Sequence, residues 1–328
     1  MIELTEYTLN VKDLKSYYFL PSGVVKAVDG VSFKIEKGEA LGVIGESGSG
    51  KSTIGWSVVR LLPHPGKVVG GEIFFLDQNI LELDADEIRK IRWKKISMVT
   101  QSAMNAFDPL MKIGDQITEA ILIHEKVPRN SAMKKTEDLF QRVGLETSRL
   151  KDHPHELSGG MKQRAMIAMA LACKPGLIIA DEPTTALDVI VQAQILRLLE
   201  ELRTSLTSSS IMFISHDLSV IVELCDKILI MYGGKMMEYA STPTVIKKPL
   251  HPYTKGLLNS FPRIEETEMR FDSIPGSPPD MANIPKGCIF HPRCKYAENV
   301  CREHVPEIVN VEDNHFVACH LVKGEIAR

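Results

Sequence analysis

The first forty residues alternate apolar with polar positions, in stretches such as "YTLNVKDLKSYYF" and "AVDGVSFKI", interrupted at "LPSG" and "EKGE". A period of two marks half-buried strands, so this region reads as antiparallel strands joined by turns. The pattern then changes. In "ALGVIGESGSGKSTIGWSVVRLL" an apolar strand, Ala40 to Ile44, runs into a glycine-rich turn and then a helix with apolar residues at helical spacing. In "KPGLIIADEPTTALD" the apolar run Leu177 to Ala180 ends in two carboxylates, Asp181 and Glu182. Continuous apolar strands of this kind are buried on both faces, as in the parallel sheets of α/β proteins. Between them "ITEAILIHEKV" and "AMKKTEDLFQRVGL" read as amphipathic helices, and "HELSGGMKQRAMIAMALA" as a long helix capped by Ser158. The acidic, proline-rich stretch from Pro262 to Pro285 reads as a linker with little regular structure.

Composition narrows the class. With 328 residues, 44% hydrophobic and 25% charged, the chain is an ordinary globular one, large enough for about two domains. A formal net charge of -3 gives no electrostatic ground for nucleic acid as the main partner. The N-terminal "MIELTEYTLN" lacks the basic flank and apolar core of a signal peptide. No apolar run approaches the roughly 20 residues of a membrane-spanning helix. A cytoplasmic protein that meets a membrane only through another subunit is the expectation.

Gly45, Gly50, Lys51 and Ser52 fill the pattern G-x-x-x-x-G-K-S/T in the strand-to-helix context that gives it meaning. Glycines let consecutive backbone N–H groups converge on phosphate oxygens, and the helix N-terminus adds its positive dipole end. Lys51 is placed to reach the β and γ phosphates and Ser52 to ligate Mg²⁺, with Thr53 behind it; Ser47, Gly48 and Ser49 complete the loop. Asp181 fits a Mg²⁺-side carboxylate and Glu182 a group that polarises the attacking water. Ser158, Gly159 and Gly160 open a second helix whose N-terminus can also accept an anion.

Leu157-Ser158-Gly159-Gly160 followed by Met161-Lys162-Gln163-Arg164 resembles the signature motif of ATP-binding cassette (ABC) ATPases. The remaining elements stand in that family's order: the loop Gly45 to Ser52, Gln101 after "ISMVT", the signature, Asp181-Glu182, "ALD" at Ala186 to Asp188, and "ISHD" with His216. The resemblance implies a P-loop α/β cassette, with a RecA-like mixed sheet core, N-terminal antiparallel strands and a helical subdomain at about residues 103–168. It further implies that two ATP molecules are sandwiched head to tail, each between one subunit's phosphate loop and the signature, Ser158 to Gly160, of the other. Glu182 is then the catalytic base, His216 contacts the γ-phosphate, Gln101 senses Mg²⁺ and the transmembrane partner, Asp188 contacts the partner subunit, and Tyr18 stacks on adenine.

Cassette ATPases also serve DNA repair and translation, but this chain has one phosphate loop, one signature and no long heptad run. "LHPYTKGLLNSFPRI", "IPGSPPD" and the cysteine-containing tail resemble the C-terminal extension of ATP-binding subunits of dipeptide and oligopeptide importers. That resemblance implies two transmembrane permease subunits, a second ATPase subunit forming a heterodimer, with a homodimer as the alternative, an extracytoplasmic solute-binding protein as an indirect partner, and a peripheral place on the cytoplasmic face of the membrane. Oligosaccharide or nickel cargo is an alternative, as is a non-transport ATPase with a redox-sensing tail.

Cys288, Cys294, Cys301 and Cys319 are separated by five, six and seventeen residues, which matches neither common zinc modules nor the bacterial ferredoxin run. Spacing points to a tetrathiolate metal site without naming the metal; four packed, reduced thiols are the alternative. The importer resemblance implies a 4Fe-4S cluster, with zinc second, that replaces an apolar core this tail lacks. Cys173 and Cys225 read as packed thiols. The expected division is a cassette over 1–245, a linker over 246–286 and a cysteine-rich metal-binding region over 287–328.

Overall fold

The computed structural model describes residues 6–100, 106–185, 187–205, 209–260, 274–312, 314–323 and 325–326. Along the chain the strands are β1 Tyr7–Leu20, β2 Gly23–Glu36, β3 Ala40–Ile44, β4 Gly66–Phe75, β5 Gln78–Asn79, β6 Ile96–Val99, β7 Leu177–Asp181, β8 Ser210–Ser215, β9 Lys227–Tyr232, β10 Lys235–Ser241, β11 Ile308–Asn310, β12 Phe316–Ala318 and β13 Glu325–Ile326. The helices are α1 Lys51–Val58, α2 Ala85–Ile91, α3 Ile113–His124, α4 Arg129–Arg142, α5 Gly159–Leu171, α6 Val189–Ser205, α7 Leu218–Leu224, α8 Thr242–Lys247, α9 Pro252–Asn259 and α10 Asn299–Glu303. The chain divides into two compact units: residues 1–35, 39–81 and 213–328, and residues 36–38 with 82–212.

In the first unit, β2-β1-β4-β5 form a sheet in which β1 and β4 run antiparallel, with Leu9 opposite Phe75 and Val11 opposite Ile73. Leu9 and Val11 are buried in the period of two that the sequence carries; a register shift between Lys12 and Lys15 then leaves Lys12 and Asp13 both exposed before buried Leu14. A second run of strands orders β13-β11-β12-β10-β9-β3. Here β3 pairs parallel with β9 and β9 antiparallel with β10. All five residues of β3 are buried, as a strand covered on both faces requires. Helix α7 lies so close to this strand that a Cβ on Gly42 would stand 2.2 Å from Ile221 Cγ2.

The C-terminal extension differs from its expectation. The strands β11, β12 and β13 pair antiparallel, and β12 continues onto β10 with Val317 opposite Glu238 and Phe316 opposite Tyr239. The extension also has an apolar core, where none was expected: Ile289 and Phe290 are each 3% exposed. The Phe290 ring meets Tyr232 and Tyr253 at 5.2 Å and His251 at 5.7 Å between centroids. Such edge-on and tilted pairs stabilise by about 0.5–1.5 kcal/mol each beyond the area they bury. Buried Glu238 ties the pieces together, accepting from the backbone N–H groups of Leu250 and His251 at 2.9 Å and pairing with His315 Nε2 at 2.7 Å. Burial raises its carboxyl, but those hydrogen bonds outweigh burial and hold it below the usual range. Of the segment expected as a linker over 246–286, residues 246–260 include the end of α8 and all of α9, residues 274–286 carry no helix or strand, and residues 261–273 lie outside the described residues.

In the second unit, β6 pairs parallel with β7. Helix α2 begins with a capping box, Asp84 with Glu87. Helices α3 and α4 cover the stretches read as helical and turn Ile113, Ile117, Ile121, Leu139 and Phe140 inward. Thr118 and Thr136 share a buried hydroxyl hydrogen bond of 3.0 Å between them. Among the described residues no helix is long and apolar enough to cross a membrane.

Candidate functional site

The phosphate loop leaves β3 at Gly45 and enters α1 at Lys51, within the first unit. Gly50 caps the helix at φ 97°, and a Cβ there would lie 1.9 Å from the Ala27 carbonyl oxygen. Only glycine fits that combination of backbone and contact. Ser47 and Gly48 are exposed at the loop tip, Ser49 is buried, and Gly50, Ser52 and Thr53 are half-buried. Lys51 is 5% exposed and its Nζ donates to the carbonyls of Gly45 at 2.7 Å and Glu46 at 2.8 Å. A buried ammonium held by loop carbonyls, at the start of a helix whose N–H groups face the loop, fits a phosphate ligand.

Tyr18, near the end of β1, pairs with Gly66 of β4, and its ring lies over that glycine. Its neighbour Tyr17 is committed elsewhere, donating its hydroxyl to Asp29 at 2.6 Å. Burial and that carboxylate push the Tyr17 phenol up to about 12. His216 is exposed just beyond β8. The next residue, Asp217, caps α7 by accepting from Ser219 N at 2.9 Å.

In the second unit, β7 delivers Asp181, 2% exposed, at its C-terminal end, followed by half-buried Glu182. Glu182 has φ 46°, a left-handed conformation that costs a non-glycine residue about 1–3 kcal/mol and clusters at working sites. Its Oε2 accepts from the Thr185 hydroxyl at 2.9 Å. Asp188 Oδ1 accepts from Val191 N at 3.0 Å at the start of α6. Exposed Ser158 caps α5, accepting from Met161 N at 3.4 Å, with Gly159 and Gly160 as the first helical residues. A Cβ on Gly160 would sit 2.5 Å from Val191 Cγ1, so α5 and α6 meet there at glycine distance. Arg164 braces the helix, donating to Val143 O at 2.8 Å and Gln194 Oε1 at 3.0 Å. Gln101 and Ala186 lie outside the described residues.

The tail corrects the metal expectation in part. Among the described residues no three His, Cys, Asp or Glu side chains converge to hold a metal ion, so the structure supports neither the iron-sulfur nor the zinc site expected on Cys288, Cys294, Cys301 and Cys319. The apolar packing of Ile289 and Phe290 supplies the anchorage that a metal was expected to supply. The thiols are nonetheless neighbours. Burial pushes Cys288 up to about 11, with Cys301, Cys319 and Cys294 close enough to add to the rise. Burial likewise raises Cys294 and Cys319, each also sensing Cys301. Cys173 and Cys225 are buried, Cys173 pushed up to about 11 by burial.

Sequence reasoning missed the partners of Glu46, the second residue of the loop. Arg293 and Tyr253, both from the C-terminal region, bond to it at 2.6 and 3.0 Å. Residues separated by 247 positions leave no spacing signal.

Two family models match the chain: "ABC transporter" over residues 28–185 and "Oligopeptide/dipeptide transporter, C-terminal region" over 237–301. A probable peptide ABC transporter ATP-binding protein of Sinorhizobium fredii is 44% identical over 95% of this chain and 94% of its own length. The oligopeptide transport ATP-binding protein OppD of Escherichia coli is 44% identical over 91% of this chain and 88% of that protein. Among solved structures, a dimeric ATP-binding cassette in a post-hydrolysis state with ADP and phosphate is 28% identical, with a TM-score of 0.65 over 71% of this chain and 98% of that one. A phosphate loop, a signature helix, a strand ending in Asp-Glu and a C-terminal region of this kind in one chain place it in a single family: the chain belongs to the ATP-binding subunits of oligopeptide and dipeptide ABC transporters, and it is an ATPase.

Proposed function

We propose that this chain powers the uptake of dipeptides or oligopeptides, working from the cytoplasmic face of the membrane with two permease subunits and a second ATPase subunit. The observation that carries the reading is the coexistence of a complete cassette motif set with a C-terminal region matching the peptide-transporter model over 237–301. The relatives reported above are named for peptide transport, which disfavours oligosaccharide or nickel cargo and a non-transport role.

In this reading the loop N–H groups from Ser47 to Thr53 and Lys51 bind the ATP phosphates, and Tyr18 stacks on adenine. Mg²⁺ supplies neutralisation of phosphate charge, with Ser52, Gln101 and Asp181 as the residues that would hold it. Glu182 accepts the proton of the attacking water, and His216 keeps the γ-phosphate region in place. Ser158, Gly159 and Gly160 present their helix N-terminus to the ATP of the opposing subunit. Catalysis here is mainly positioning and charge stabilisation, and an isolated subunit hydrolyses slowly because it lacks the opposing signature. The division into a cassette over 1–245, a connecting segment over 246–286 and a tail over 287–328 belongs to the same proposal.

Cys288, Cys294, Cys301 and Cys319 would hold a 4Fe-4S cluster, supplying a structural cross-link between turns. Its support is the all-thiol donor set alone. Anaerobic co-purification with two multi-span membrane subunits, followed by iron and sulfide assay, tests both. The expected result is a membrane complex with iron and sulfide near four each per chain. A chain that never co-purifies contradicts the transport role, and protein free of iron contradicts the cluster.

A further inference from the structure

The phosphate loop is gripped from outside the cassette motifs. The guanidinium of Arg293, 8% exposed, meets the Glu46 carboxylate in a two-pronged pair: Nη1 to Oε2 at 2.6 Å and Nη2 to Oε1 at 3.0 Å. The same group donates from Nε to Pro275 O at 2.7 Å and from Nη1 to the Tyr232 hydroxyl at 3.2 Å. Its carbon lies 5.6 Å over the Tyr232 ring. A planar fork with its donors engaged this way fixes the carboxylate in direction as well as distance.

The backbone is held too, because Glu46 N–H donates to the Tyr253 hydroxyl at 3.0 Å. Tyr232 and Tyr253 are themselves locked against Phe290. Beside them a cavity of about 50 Å³ separates Ser47, Gly48 and Ser49 from Pro278, Pro279 and Met281. On its other side Glu46 accepts from Lys51 Nζ through its carbonyl at 2.8 Å. One residue therefore joins the extension to the phosphate-binding ammonium.

We propose that Arg293 is a positioning residue for ATP binding: through Glu46 the C-terminal extension sets the conformation of the phosphate loop and of Lys51. The extension is then a working part of the nucleotide site, and the two are thermodynamically coupled. Coupling is reciprocal, so ATP must tighten the extension as much as the extension tightens ATP. The inference rests on the reading that this loop binds ATP.

The test uses the full-length chain and a fluorescent ATP analogue with Mg²⁺. Arg293→Gln is expected to weaken binding roughly tenfold, and Arg293→Lys by less, because it keeps the charge and loses the fork. Exchanging the pair, Glu46→Arg with Arg293→Glu, is expected to recover part of the loss. A purely anchoring role would lower the melting temperature and leave the affinity of folded protein alone. Equal affinity in folded Arg293→Gln overturns the inference, whereas a wild-type chain that binds no analogue overturns the loop assignment beneath it. Hydrogen exchange on the wild type needs no variant: Mg-ATP is expected to slow amide exchange over residues 288–294, and unchanged exchange there overturns the coupling.

Discussion

Replacing Glu182 by Gln is expected to leave ATP binding in place and to lower turnover of the assembled transporter by roughly 100- to 10,000-fold, the range for losing a positioned general base. Three features of the chain lead to this value. Strand β7 is fully buried and carries its acids out at its C-terminal end, the place where an open α/β sheet presents chemistry. Glu182 holds a left-handed φ of 46°, a strained conformation of the kind that clusters at working sites. Its Oε2 accepts from the Thr185 hydroxyl at 2.9 Å, a bond the Gln carbonyl can also accept, so the substitution removes proton affinity while keeping shape. Turnover measured as released phosphate, beside analogue binding, separates the two effects. Undiminished hydrolysis would remove Glu182 from the base role.

Lys51→Ala is expected to act on the other quantity. Each hydrogen bond from a charged donor contributes about 1.5–3 kcal/mol, so the loss of a buried ammonium aimed at phosphate should weaken ATP binding by roughly 10- to 150-fold. The structure adds a second contribution. Lys51 Nζ bridges Gly45 O and Glu46 O, so its removal also frees the first half of the loop. Titration of the full-length chain with a fluorescent analogue reads the effect. Unchanged affinity would contradict the loop assignment.

How far the sequence could be read depended on whether the chemistry was local. The bounds of β3 fell where apolar continuity placed them, at Ala40 and Ile44, and those of β7 within one residue. A buried strand, a glycine turn and an amphipathic helix each write their requirement into adjacent positions. Ser158 was legible as a cap for the same reason: its side chain accepts from Met161, three residues on.

The C-terminal extension was not legible, because its stability comes from long-range contacts. Phe290 looked like one aromatic residue in an irregular tail, yet its partners Tyr232, His251 and Tyr253 lie on or beside β9 and α9. The pairing of β12 with β10 joins segments about as far apart. Four cysteines drew attention to metal, whereas the residues that attach the tail are Phe290, His315 and Arg293, none of which has a spacing that announces a partner. Arg293 stands one position before Cys294, hidden beside the more conspicuous residue. Glu46 was equally unobtrusive, as a variable position within the loop pattern.

ATP hydrolysed on this chain drives peptides across a membrane. The most direct test of this is uptake of a labelled dipeptide by proteoliposomes containing the permease subunits, both ATPase subunits and the binding protein, with ATP on the side of this chain. The expected result is ATP-dependent accumulation by the wild-type complex and none with Glu182→Gln. Uptake that continues unchanged with Glu182→Gln, or a wild-type complex that hydrolyses ATP and moves no peptide, would contradict it.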